Sequence, residues 1–189
     1  MSTFIYMVRH GESPKTGGDE RERGLSPKGE ADARQVTARL RSEGIHAFYS
    51  SPYVRAVQTI ADLAEELGQE IVPDEALKEK IWMEGNRPLP EDELYPALRK
   101  MYADADFALP GGESNNECQA RAVQVLKDIL RKHPGENIVI GTHGLVMALM
   151  MGYFSADYGL EFLMQTKKPD IYRMEFTGEK LSGVERIPL

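Results

Sequence analysis

Phe4-Ile5-Tyr6-Met7-Val8-Arg9-His10-Gly11 is a compact apolar run that stops at a cation, an imidazole and a glycine. Five consecutive apolar residues are short for a buried helix and suit a strand covered on both faces, as at the centre of a parallel sheet. The polar triplet then falls in a loop at the strand's carboxyl end. The same pattern returns at Asn137 to Ile140, which runs into Gly141-Thr142-His143-Gly144. Two of only four histidines therefore follow strands and precede glycines. In an open α/β sheet the carboxyl ends of neighbouring parallel strands face one crevice, so this pattern predicts that His10 and His143 converge. A lone histidine after a strand is commonly a hydrogen-bonded loop residue, but two in matching contexts argue for a site.

The remaining elements alternate in the same way. Ser26-Pro27 is a helix start, with Ala33, Val36 and Leu40 as its buried stripe and Gly44 as its end. Ala47 to Tyr49 reads as a strand and Ser50-Ser51-Pro52 as a cap. Val54, Val57, Ala61, Ala64 and Leu67 recur at helical spacing, and Gly68 closes that helix. Ile71-Val72 suggests a brief third strand. Between Trp82 and Gly112, prolines 88, 90, 96 and 110 weaken the signal, although Leu94, Leu98 and Met101 line up on one helix face. Ser114 and Glu117 form a capping box for a helix with the stripe Ala122, Leu126 and Ile129, reaching about Lys132. Leu145 to Met151 reads as a short buried helix. Tyr172 to Phe176 and Leu181 to Ile187, around Gly178, read as an antiparallel hairpin at the sheet edge. The segment Ser13 to Gly24 is polar and aperiodic, which predicts a mobile surface loop. The expected fold is a doubly wound three-layer α/β/α domain spanning residues 1–189, with a mostly parallel sheet, an antiparallel edge and a small cap-like insertion over about 82–112.

Composition narrows the function. The 189 residues carry 23 Lys and Arg against 30 Asp and Glu, a net charge of −7, which disfavours a nucleic-acid or membrane-coating surface but allows a local basic pocket. One cysteine forbids an intrachain disulfide, and Cys118 reads as an unreactive helix residue. With no basic leader and no spanning apolar stretch, the expected setting is cytoplasmic. Arg9 beside His10 adds cationic donors where phosphate or carboxylate would bind. Arg55 stands near a helix start, where the helix dipole disfavours a cation unless an anion joins it. His10 and His143 lack a third metal ligand at any recognised spacing. No serine sits in a small-residue nucleophile elbow, and Gly111-Gly112 lacks the strand and lysine of a nucleotide phosphate loop.

Val8-Arg9-His10-Gly11-Glu12-Ser13 resembles the signature of the histidine phosphatase superfamily, the phosphoglycerate mutase-like group. Leu25-Ser26-Pro27-Lys28-Gly29, Ser50-Ser51-Pro52-Tyr53-Val54-Arg55-Ala56-Val57-Gln58-Thr59, Pro110-Gly111-Gly112-Glu113-Ser114 and Thr142-His143-Gly144 resemble its later blocks, in order, from about residue 4 to residue 150. The resemblance implies that His10 is phosphorylated during turnover, that Arg9, Arg55 and His143 surround the phosphoryl group, and that Glu79 is the proton-transferring acid, with Glu12 and Glu84 as nearby competitors. It implies no metal and no other cofactor.

Two departures shape the expected activity. Residues 14–24 are shorter than the corresponding segment of mutases and lack its asparagine, with Thr16 or Arg21 as candidate substitutes for contacting substrate. The run after the acid reads Lys80-Ile81-Trp82-Met83-Glu84-Gly85, which leaves Trp82, Met83 and Tyr102 as candidates for an apolar wall. Arg87, Arg99 and Lys100 are opposed by acids and do not suggest an organised second phosphate site. The expectation is hydrolysis of a phosphomonoester, a small phosphorylated metabolite. A phosphoglycerate mutase-type transferase, a protein phosphatase and a non-enzymatic phospholigand-binding module remain as alternatives.

Overall fold

The computed structural model describes residues 1–16 and 19–189. Its centre is a six-stranded sheet built from β1 (Ser2–Arg9), β2 (Ala47–Ser50), β3 (Ile71–Pro73), β4 (Asn137–Thr142), β5 (Asp170–Thr177) and β6 (Lys180–Ile187), in the order β3-β2-β4-β1-β5-β6. The first four strands in that order run parallel, and β5 and β6 add an antiparallel edge to β1. β1 and β4 pair in register from Phe4 opposite Asn137 to Arg9 opposite Thr142, so His10 and His143 leave the sheet side by side.

Alternation along the strands divides the core into two layers. Tyr6, Val8, Phe48 and Val139 face α1 (Pro27–Leu40) and α2 (Val54–Glu66), whereas Ile5, Met7, Ile138 and Ile140 face α4 (Asn115–Lys132) and α5 (Gly144–Phe154). The three-layer expectation therefore holds, with the antiparallel hairpin turning at Gly178 as read. α3 (Glu91–Ala103) and the short α6 (Leu160–Gln165) lie on the second layer. α5 is buried along nearly its whole length, from Gly144 to Met151.

Two local readings need correction, and one helix was missed. In α2 the buried face is Arg55, Ala56, Thr59, Ile60, Leu63 and Ala64, while Val54, Val57, Ala61 and Leu67 are only partly covered. Two polar residues turned inward toward the site disguise the apolar period. Ser50-Ser51-Pro52 does not cap α2: its N-cap is Tyr53, which makes no side-chain cap bond. α6 escaped the sequence reading because six residues are too few to establish a helical period. The loop expected at 13–24 includes residues 17 and 18, which lie outside the described residues. What is described is tied down: Ser13 Oγ donates to the Gly24 carbonyl at 2.6 Å, Arg23 Nη1 donates to Ser13 Oγ at 2.7 Å, and the Val54 amide donates to the Arg21 carbonyl at 2.9 Å.

The capping box stands as read. Ser114 Oγ accepts from the Glu117 amide at 3.1 Å and Glu117 accepts from the Ser114 amide at 2.7 Å. Ser114→Ala leaves one first-turn donor of α4 unsatisfied in a buried setting, and urea unfolding should register a loss of about 1 kcal/mol.

Candidate active site

Four elements converge at the carboxyl edge of the sheet. His10 follows β1, Ser51 follows β2, His143 follows β4, and Arg55 projects from the first turn of α2. The imidazoles of His10 and His143 stack edge to face with centroids 5.2 Å apart, and Tyr53 closes on His143 from the other side at 5.1 Å. His10 and His143 are both buried.

His10 Nδ1 lies 2.7 Å from the Gly11 carbonyl, which can only accept, so Nδ1 carries the proton. Nε2 is then a lone-pair acceptor, and Arg55 Nε donates to it at 3.3 Å. Burial, then the Arg55 charge, hold the His10 imidazole well below its ordinary range; Arg9 and Lys168 act in the same direction against the Gly11 bond. Burial, Arg55 and His10 depress His143 similarly. Both rings are therefore neutral at pH 7. His143 Nε2 pairs with Ser51 Oγ at 2.7 Å, and its Nδ1 has no partner among the described residues.

Arg55 is 1% exposed. Its remaining donors reach the Glu20 carbonyl and, at 3.1 Å, the Glu20 carboxylate. Burial and then Arg23 lower its guanidinium to about 10, with Glu20 opposing them. Arg9 donates to Thr166 Oγ1, while its Nε is buried without a partner among the described residues. Gly144, first residue of α5, lies against the Arg9 guanidinium: a Cβ there would approach Cζ to 2.7 Å. Only glycine permits that close approach.

These cations open onto a cavity of about 260 Å³ with two kinds of wall. Arg9, His10, Arg55, Arg23, Lys15 and Lys168 supply a basic end, with Glu20 and Glu79 as its acids. Trp82, Leu89, Leu94 and Leu98 from the segment before and within α3, with Leu163 and Met164 of α6, supply an apolar one. Glu79 sits at the N-terminus of α5, where its carboxylate accepts from the Leu145 and Val146 amides at 3.3 and 3.1 Å and from the Lys80 amide at 2.9 Å. A site of this kind suits a tetrahedral oxyanion joined to a less polar group.

Arg9, His10, Arg55, Glu79 and Trp82 thus line one cavity, and His143 lies directly beneath it. Thr16 is exposed and does not line it. Arg21 is turned to Glu75, donating through two nitrogens at 2.6 and 2.8 Å. Arg23, two residues on in the alternating Glu-Arg-Glu-Arg run, reaches the cavity instead, and only the path of the loop separates the two. Met83 and Tyr102 do not contribute to this wall; Tyr102 borders a separate cavity behind α3. Lys15, Glu20, Arg23, Ser51, Thr166 and Lys168 were missed. Thr166 and Lys168 lie in a connector without periodicity, and Ser51 resembled a cap. Cys118 is buried in α4 with its thiol pushed upward by that burial. Among the described residues no three His, Cys, Asp or Glu side chains are grouped to hold a metal ion. None of the helices described is long and apolar enough to cross a membrane.

The family model of the histidine phosphatase superfamily (branch 1) matches residues 5–185. The chain belongs to this superfamily, whose members are phosphomonoesterases and phosphomutases. A probable phosphoglycerate mutase GpmB of an Enterobacter species is 29% identical over 156 residues, covering 78% of this chain and 72% of that protein. Phosphoglycerate mutase-like protein 4 of Arabidopsis thaliana is 32% identical over 158 residues, covering 76% and 67%. Among solved structures, Bacillus stearothermophilus YhfR superposes with a TM-score of 0.80 at 26% identity, over 95% of this chain and 94% of that one. Phosphoserine phosphatase of Entamoeba histolytica, solved with 3-phosphoglyceric acid, shares the fold with a TM-score of 0.78 at 19% identity, over 99% and 98%.

Gly144→Ala displaces the mobile end of Arg9 rather than backbone, so stability should change little. Inorganic phosphate binding, measured by calorimetry, should weaken about tenfold or more through loss of a charge-assisted donor.

Proposed function

We propose that the protein hydrolyses a small phosphomonoester through a phosphohistidine on His10, without a metal ion. The observation that carries this reading is the pinned tautomer of His10: its Nδ1 proton is committed to the Gly11 carbonyl, leaving the Nε2 lone pair toward the basic end of the cavity beside Arg55. As phosphate arrives, Arg55 exchanges the Glu20 carboxylate for phosphoryl oxygens, and Arg9 supplies its unpartnered Nε. Ser51 Oγ already accepts from the Tyr53 amide at 3.2 Å, so its own proton is available to His143 Nε2. That arrangement puts the His143 proton on Nδ1, which donates to the phosphoryl group.

The Nε2 lone pair attacks phosphorus and the bond to the alcohol oxygen breaks. Acting as the acid, Glu79 passes the proton gained from water in the preceding cycle to the departing alcohol and is left as the carboxylate that its amide donors favour. Water then attacks the phosphohistidine, its proton passes to Glu79, and phosphate leaves with the neutral imidazole restored. Arg9, Arg55 and His143 stabilise the equatorial oxygens, each such donor contributing roughly 2.7–4 kcal/mol to the transition state.

A second reading, phosphoryl transfer between two alcohols, gains support from Lys15, Arg23 and Lys168. Arg87, Arg99 and Lys100 do not line the cavity, so the cations available to hold a second acidic group come from other elements than the insertion. The names of the mutase-like relatives fit this reading, and that of the phosphoserine phosphatase fits hydrolysis. Net phosphate release against ester isomerisation separates them.

A release assay over a panel of phosphomonoesters should show turnover that chelator leaves unchanged and His10→Ala abolishes. Acid quench should trap an acid-labile phosphoenzyme in the parent protein only. Glu79→Gln should suppress esters of poor leaving groups about 10² to 10⁴ fold while sparing activated aryl esters. Tight phosphate binding with no phosphoenzyme would instead make the protein a binding module.

Lys168 supplies a pH signature. Desolvation of its ammonium at the cavity wall, in a residue otherwise exposed, followed by the Arg9, Lys15 and Arg23 charges, lowers it to about 8. The group is cationic below that pH and neutral above it, so KM for a dianionic ester should rise as pH passes 8. Lys168→Met should start with a higher KM and lose that limb.

A further inference from the structure

Arg121 lies on the second turn of α4 and outside the cavity, yet its guanidinium is fully engaged. Nη1 donates to the carbonyls of Ala76 at 2.6 Å and Lys78 at 2.9 Å. Nη2 donates to the Glu79 carbonyl at 3.3 Å and to Glu113 Oε1 at 2.5 Å, and Nε donates to Glu113 Oε2 at 3.1 Å. A guanidinium has five N–H donors in a rigid fork, and here each has an acceptor. Counting Cys118 Sγ, 3.4 Å from Nη2, three of its six acceptors are backbone carbonyls of residues 76–79.

Glu113 completes the clamp. Its Oε1 also accepts from the Ile81 amide at 3.0 Å, and its own amide donates to the Ile81 carbonyl at 2.9 Å. Residues 78–83 lie between two 3-10 turns, Glu75–Leu77 and Glu84–Asn86, and belong to neither a helix nor the sheet. Such a segment has no regular ladder to fix its backbone. Arg121 and Glu113 grip it at Lys78, Glu79 and Ile81, with Ala76 held in the turn before it, and its one carboxylate in the cavity is Glu79.

We propose that Arg121 is a positioning residue for proton transfer by Glu79. It fixes the backbone from which the carboxyl group reaches the leaving oxygen, and it touches neither substrate nor the reacting atoms. This rests on the reading of Glu79 as the acid. Lysine preserves the charge beside Glu113 but replaces a planar five-donor fork with a single ammonium, so it loosens the carbonyl grip without leaving Glu113 unpaired.

The test compares an activated aryl ester, p-nitrophenyl phosphate, with an alkyl ester, glycerol phosphate, for the parent protein, Arg121→Lys, Glu79→Gln and the double variant. Since a misplacement near 1 Å can cost about 10²-fold, kcat of Arg121→Lys on the alkyl ester should fall at least about tenfold. KM should stay within about twofold, and the aryl ester should be nearly unaffected. In the Glu79→Gln background, Arg121→Lys should add little, because the group it positions is already disabled. Equal losses on both esters, or full additivity in the double variant, would overturn the proposal. Glu79→Gln without leaving-group selectivity would remove the acid reading and the positioning role together, whereas a selective Glu79→Gln beside an unselective Arg121→Lys removes the positioning role alone. Circular dichroism establishes that each variant folds. If Arg121→Lys does not, Glu113→Gln loosens the same clamp from its other side and must show the same selective loss.

Discussion

Everything at this site depends on keeping two imidazoles neutral beside two guanidinium groups, Arg55 buried and Arg9 half-buried. Removing an arginine from water is costly, and placing two together is costlier still. The protein meets that cost with oriented acceptors. Glu20 takes two donors of Arg55, the His10 lone pair takes a third, and Thr166 takes one from Arg9. Burial, and after it the same positive field, depresses both histidines, so the charges that attract an oxyanion also help leave the nucleophilic nitrogen unprotonated.

Sheet topology makes this arrangement inexpensive in conformational terms. β1, β4 and β2 are neighbours, and their carboxyl ends deliver His10, His143 and Ser51 from backbone already held by ladder hydrogen bonds. Side chains whose anchoring strands are rigid lose little further freedom when they organise around an anion. The apolar wall is built differently, from the segment leading into α3 and from α6. Arg9, His10 and Arg55 of the basic end lie in the blocks that resemble the superfamily's motifs, while the wall comes from the parts of this chain with the weakest sequence signal.

Much of the architecture was legible in the chain. Strands β1 and β4 announced themselves as apolar runs because both of their faces are covered, and the Ser26 and Ser114 caps marked helix starts because first-turn amides need acceptors. The α2 stripe misled for a chemical reason: Arg55 and Thr59 turn inward to serve the site, so polarity there does not mean exposure. At 14–24, Arg21 and Arg23 are chemically identical and two residues apart. Which of them meets Glu75 and which meets the cavity depends on contacts with Ser13 and Glu20 that no local pattern encodes.

By itself, the sequence determined the layered α/β class, the pairing of two histidines after strands, and the motifs that define the superfamily, since each is written in local periodicity and residue type. Only the tertiary structure decided which cations face the cavity and how the segment bearing Glu79 is gripped. Those outcomes depend on contacts between residues distant in sequence, where burial and hydrogen-bond geometry select one partner among chemically equivalent ones.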